Sequence, residues 1–130
     1  MKRNDVLALA SLLSLVLLSM HFADDYVQGF DKHVADNPYG ILVLVVPACG
    51  IFLLRERLIG RILLLLGGLA AILMPVIHLR GHFSPDFARA DGAFRFIWTL
   101  YALGTVGVLI VMLAIRELVR RPRAPSGDAM

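Results

Sequence analysis

The stretch LIGRILLLLGGLAAILMPVIHLRGH, residues 58–82, is almost wholly apolar until it reaches two histidines at its end. A helix needs about 20 mostly apolar residues to cross the ~30 Å hydrocarbon core of a bilayer, and this stretch is long enough. Membrane helices associate through small residues that let their backbones approach closely. The following residues lie 7, 4, 7 and 4 positions apart and form one such seam: Gly60, Gly67, Ala71, His78 and His82. Both histidines are therefore predicted to face other helices.

The rest of the chain has the same character. Hydrophobic residues make up 58% of its 130 residues and the mean hydropathy is +0.76, whereas an ordinary soluble domain is about 45–50% apolar. We therefore predict an all-α fold, an antiparallel bundle of four transmembrane helices. It forms a single domain over residues 1–121, followed by a flexible cytoplasmic tail at 122–130. The predicted spans are about 6–22, 39–54, 58–79 and 94–115.

The charges predict an orientation. With the N-terminus inside, nine of the 13 Lys and Arg residues fall on the inner side, and this positive-inside bias places both termini in the cytoplasm. All four histidines and most aspartates then face the exterior. We expect an integral protein of a bacterial inner membrane. Because the basic residues flank helices, the pI of about 9.5 does not predict a nucleic-acid partner; the expected partners are the bilayer, another membrane protein or a second copy.

The segment HFADDY, residues 21–26, follows the first apolar stretch. A second inward seam runs along the predicted first helix at spacings of 4, 7 and 4 through Ala10, Ser14, His21 and Asp25. If the first and third helices touch, the two seams bring their polar ends together in one pocket at the outer face.

Imidazole and carboxylate are ligands for zinc and other divalent transition metals. The predicted metal ligands are His21, Asp25, His78 and His82. Pro75 and Gly81 are expected to disturb the helix near His82, so His78 is the safer of the pair. A bound zinc ion would acidify its water, and Asp24 or Asp25 would be the catalytic base for hydrolysis of an ester, amide or lipid bond at the outer leaflet.

This combination distantly resembles membrane-embedded zinc hydrolases of the alkaline ceramidase type, which also use histidines and an aspartate from several helices. Those proteins have more spans and further motifs that this sequence lacks. The resemblance implies a zinc-dependent membrane hydrolase as an alternative function.

The first expectation is a structural or accessory membrane subunit whose pocket suits a divalent metal. Histidine and aspartate at helix ends also form ion pairs, with Arg80 as the expected partner of Asp24 or Asp25. A second alternative is a bis-histidine haem protein with His21 and His78 as axial ligands. A proton-coupled exporter is disfavoured because no Asp, Glu, Lys or Arg lies at the middle of a predicted span.

Two features of the fourth helix concern the same pocket. Arg95 lies near the helix end and is expected to be only an anchor, like Arg61 in the third helix. Trp98, Tyr101 and Thr105 share a face that either donates hydrogen bonds into the pocket or anchors the helix at the headgroups.

Overall fold

The computed structural model describes residues 3–28, 38–54, 56–80 and 92–119, with side chains placed for 5–27, 40–54, 56–78 and 92–119. This part of the chain forms four helices: α1 (Arg3–Gln28), α2 (Pro38–Phe52), α3 (Leu58–Arg80) and α4 (Ala93–Val119). The predicted all-α class is confirmed.

Helix α1 is longer than its apolar run. The predicted first span ends at about residue 22, where the sequence becomes polar, but the helix continues to Gln28. That boundary was wrong because a change from apolar to polar residues does not end a helix. The next helix-breaking residue is Gly29. His21, Asp24 and Asp25 consequently lie on one continuous helix.

Three helices of the described chain are long and apolar enough to cross a membrane, with candidate spans at Asp5–Val27, Leu58–His78 and Ala93–Val119. Helix α2 is apolar but has 15 residues. At 1.5 Å per residue it is about 22 Å long, shorter than the ~30 Å hydrocarbon core. The four-span topology and the cytoplasmic placement of both termini stay predictions.

Each helix packs against its neighbours along the chain, and α4 also packs against α1, so the four helices form a closed arrangement. The largest interface joins α3 and α4; α1 and α3 also touch. The C-terminal ends of α1 and α3 meet the N-terminal end of α4. This end of the bundle holds the candidate site.

The α3–α4 interface depends on two glycines. A Cβ atom at Gly107 would lie 2.8 Å from the carbonyl oxygen of Gly68 and 3.0 Å from the Ala71 Cβ. A Cβ at Gly68 would lie 2.8 Å from the Ile110 Cγ2. The two distances of 2.8 Å are shorter than real Cβ contacts, so the two helices approach as closely as they do only because these side chains are absent.

The two prolines inside helices each pack against a glycine of a neighbouring helix. A Cβ at Gly104 of α4 would lie 2.9 Å from the Pro75 Cγ of α3, and a Cβ at Gly67 of α3 would lie 3.3 Å from the Pro47 Cβ of α2. Helix α3 continues past Pro75 to Arg80. His78 is therefore helical, as the seam requires.

We predict that Gly107→Ala destabilises the bundle. The added methyl group meets a backbone carbonyl, so α3 and α4 have to separate, at a cost of about 1–3 kcal/mol. Thermal unfolding in detergent measures this loss. Gly40→Ala is the matched control, because the nearest atom to its Cβ is the Phe22 Cζ at 3.9 Å. Equal stability of the two variants would contradict the close-approach interpretation.

Candidate metal centre

The inward seam of α1 is confirmed. Ala10, Ser14, His21 and Asp25 are all buried. His21 is 0% exposed and lies one turn below Asp25, with its Nε2 atom 3.6 Å from the Asp25 Oδ2 atom. The spacing of four residues places the ring and the carboxylate on one helix face.

Helix α3 supplies the second histidine. The rings of His21 and His78 meet edge to face with their centroids 4.8 Å apart. The approach of α1 to α3, on which the sequence argument depended, therefore occurs at this end of the bundle. Two polar groups that are 57 positions apart in the chain share one pocket.

Three side chains bring ligand atoms close together. One atom each from His21, Asp25 and His78 lies within 4.8 Å of the other two. His21 and Asp25 are buried and His78 is half-buried. This set contains three of the four residues predicted as metal ligands. The fourth, His82, lies outside the described residues.

A backbone hydrogen bond selects the ring nitrogen that His78 offers. The His78 Nδ1 atom lies 2.9 Å from the Met74 carbonyl oxygen. A carbonyl can only accept, so Nδ1 carries the proton and donates it. The Nε2 atom of the neutral ring then keeps its lone pair. Histidine ligands of metals in proteins are commonly oriented in this way.

His21, unlike His78, lacks hydrogen bonds to its ring in the part of the chain that the structure describes. Both of its ring nitrogens are buried, and neither has a hydrogen-bond partner among the described residues. An imidazole taken out of water without compensation lowers the stability of the fold. A bound ion could supply the interaction that the two nitrogens lack within the described chain.

Phe96 of α4 closes the inner side of the pocket. Its ring centroid lies 4.5 Å from that of His21 and 5.6 Å from that of His78, and the residue is 2% exposed. This packing argues against haem, because a porphyrin between the two imidazoles would have to displace Phe96.

Phe96 was not predicted as a site residue, although the sequence contains a signal for it. The buried residues of α4 include a series spaced alternately by three and four: Ala93, Phe96, Leu100, Leu103, Gly107, Ile110 and Ala114. This is the spacing of a helix-packing seam. Trp98, Tyr101 and Thr105, for which pocket donation and headgroup anchoring were both predicted, lie on an exposed face and line a groove beside Leu13 and Leu17 of α1. Headgroup anchoring stays a prediction.

Asp24 points to α4. Its carboxylate accepts two hydrogen bonds from Arg95, from Nε to Oδ2 at 3.1 Å and from Nη2 to Oδ1 at 2.5 Å. The expectation that Arg95 is only an anchor was therefore wrong. The Arg80 side chain, predicted as the partner of these aspartates, lies outside the described side chains. The structure thus gives the two neighbouring aspartates different surroundings.

Comparison of the chain with protein-family models, curated proteins and solved structures yields no match. The interpretation of the site therefore depends on its own geometry.

We predict that His21→Leu does not destabilise the metal-free protein. Leucine fills a similar volume and removes two buried nitrogens that lack hydrogen bonds, so the free energy of unfolding in EDTA should equal or exceed that of the wild type. Phe96→Leu is the packing control and should lower it. A clear loss of stability in His21→Leu would instead mean that the imidazole holds the fold together.

Proposed function

We propose that this protein is a small membrane protein that binds a divalent transition metal ion through His21, Asp25 and His78. The observation that carries the proposal is the convergence of the three ligand atoms within 4.8 Å. The three apolar helices support membrane insertion. The buried His21 nitrogens, which lack a hydrogen-bond partner in the described chain, support occupancy of the pocket by an ion.

The ligand atoms have to move closer together to hold an ion. Zinc lies about 2.0–2.2 Å from nitrogen and oxygen ligands, so two ligand atoms on one tetrahedral ion are about 3.3–3.6 Å apart. Ligand atoms within 4.8 Å of one another have to close by up to about 1.5 Å, which requires side-chain rotation. His21 and Asp25, at 3.6 Å, already lie at this separation.

Two imidazoles and one carboxylate favour zinc, iron(II), manganese or nickel over magnesium or calcium, which prefer oxygen ligands. Both imidazoles have to be neutral to bind, so metal occupancy falls as the pH is lowered. Three protein ligands leave at least one coordination position open. The hydrogen bond from His78 Nδ1 to the Met74 carbonyl orients the His78 ring, which is the third proposed ligand.

Metal binding is proposed here without an assigned reaction. The predicted zinc hydrolase needs a carboxylate base beside the metal-bound water. In the structure Asp24 is bonded to Arg95 and Asp25 belongs to the ligand set. Hydrolysis therefore stays a prediction from the sequence, as do an accessory role beside another membrane protein, a second copy as partner, and a bacterial inner membrane with the pocket facing outward.

We predict that protein purified without a polyhistidine tag and dialysed against zinc carries close to one ion per chain. His21→Ala combined with His78→Ala removes two of the three ligands and should lower metal content at least about tenfold, since loss of even an outer partner of a ligand costs 10–100-fold in affinity. Elemental analysis by mass spectrometry measures the content.

His33→Ala is the matched control, because it removes a histidine that is not in the proposed set, and it should retain the metal. Equal metal content in the double variant and the wild type would contradict the proposal. A wild-type protein that takes up no zinc, iron, manganese or nickel would contradict it as well.

A further inference from the structure

The Asp24–Arg95 pair lies immediately beside the proposed ligand set. Asp24 is 6% exposed and follows His21 by three residues, so it leaves the same turn of α1 as Asp25. Both of its carboxylate oxygens accept hydrogen bonds from one guanidinium. Such a two-point contact fixes the orientation of a carboxylate as well as its charge.

Without that contact, Asp24 would be a second anionic oxygen donor next to the metal. Carboxylates at i+3 and i+4 from His21 lie on the same side of the helix, so either can reach an ion held by the histidine. The Arg95 side chain is 55% exposed and belongs to α4. The arginine therefore holds both oxygens of Asp24 from the exposed side of the pair.

We infer that Arg95 sets the metal preference of the site by withholding Asp24 from the ion; this inference rests on the proposed function. With Asp24 withheld, the ligands are two imidazoles and one carboxylate, a set that suits zinc. With Asp24 released, two carboxylates face the ion, and the additional hard oxygen donor favours manganese and magnesium. Arg95 is thus a specificity-determining residue that does not touch the metal.

The test is the ratio of zinc to manganese affinity, measured by isothermal titration calorimetry on the full chain in detergent. Arg95→Gln should lower this ratio about tenfold, the lower limit for changes around metal ligands. Asp24→Asn combined with Arg95→Gln should restore the wild-type ratio, because no second carboxylate is then present. Arg95→Lys, which keeps the charge but makes only a single-point contact, should give an intermediate ratio.

The outcomes separate the two proposals. If the wild type binds zinc, His21→Ala does not, and Arg95→Gln leaves the ratio unchanged, the inference about Arg95 is overturned while the metal site stands. A changed ratio that persists in the double variant also overturns it. If the wild type binds neither zinc nor manganese, the metal site itself fails. If circular dichroism shows that Arg95→Gln does not fold, the ratio of zinc to manganese affinity in Arg95→Lys tests the inference instead: an unchanged ratio overturns it.

Discussion

The close approach of α3 and α4 at Gly68 and Gly107 is the contact on which the rest of the bundle depends. In a bilayer, apolar burial does not drive helices together, because lipid tails are as apolar as leucine; association requires intimate backbone packing. The absent side chains at these glycines permit that packing. It places Phe96 of α4 beside His78 of α3, and α1 packs against α4 so that His21 meets both rings.

The site combines a buried imidazole that lacks hydrogen bonds to the described residues with side chains that hydrogen bonds hold in place. His21 is fully buried without a hydrogen-bond partner in the described chain, an arrangement that lowers stability unless a bound group compensates for it. His78 is held by the Met74 carbonyl and Asp24 by Arg95. The neighbouring Asp25 is the carboxylate of the ligand set. The turn of α1 from His21 to Asp25 thus supplies two side chains that could hold a metal ion and a further carboxylate that is bonded to Arg95.

Much of the site could be predicted from spacing alone. Small and polar residues at intervals of four and seven identified the inward face of α1, and the third helix contributed His78 by the same rule. The rule works because helix periodicity determines which residues share a face. Hydrophobicity alone does not identify the inward face of a membrane helix, because the lipid-facing side is apolar as well. The end of α1 was predicted too early because polarity was taken as a sign of a loop.

The fourth helix shows where spacing is insufficient. Small residues in its sequence suggest a packing stripe through Gly104, Gly107, Val111 and Ala114. The buried seam shares Gly107 and Ala114 with that stripe but runs through Phe96 and Leu103. The rotation of α4 about its axis determines which of its faces covers the imidazoles. That rotation depends on how side chains of three helices pack together. The bond between Asp24 and Arg95 likewise joins residues 71 positions apart, and no local pattern indicates it.

The most direct test of the metal centre is zinc K-edge X-ray absorption on protein loaded with one equivalent of zinc. We predict two imidazole ligands in the wild type, with Zn–N distances of about 2.0–2.1 Å, and one imidazole ligand in His21→Leu. An oxygen-only shell in the wild type, or a spectrum that His21→Leu leaves unchanged, would contradict it.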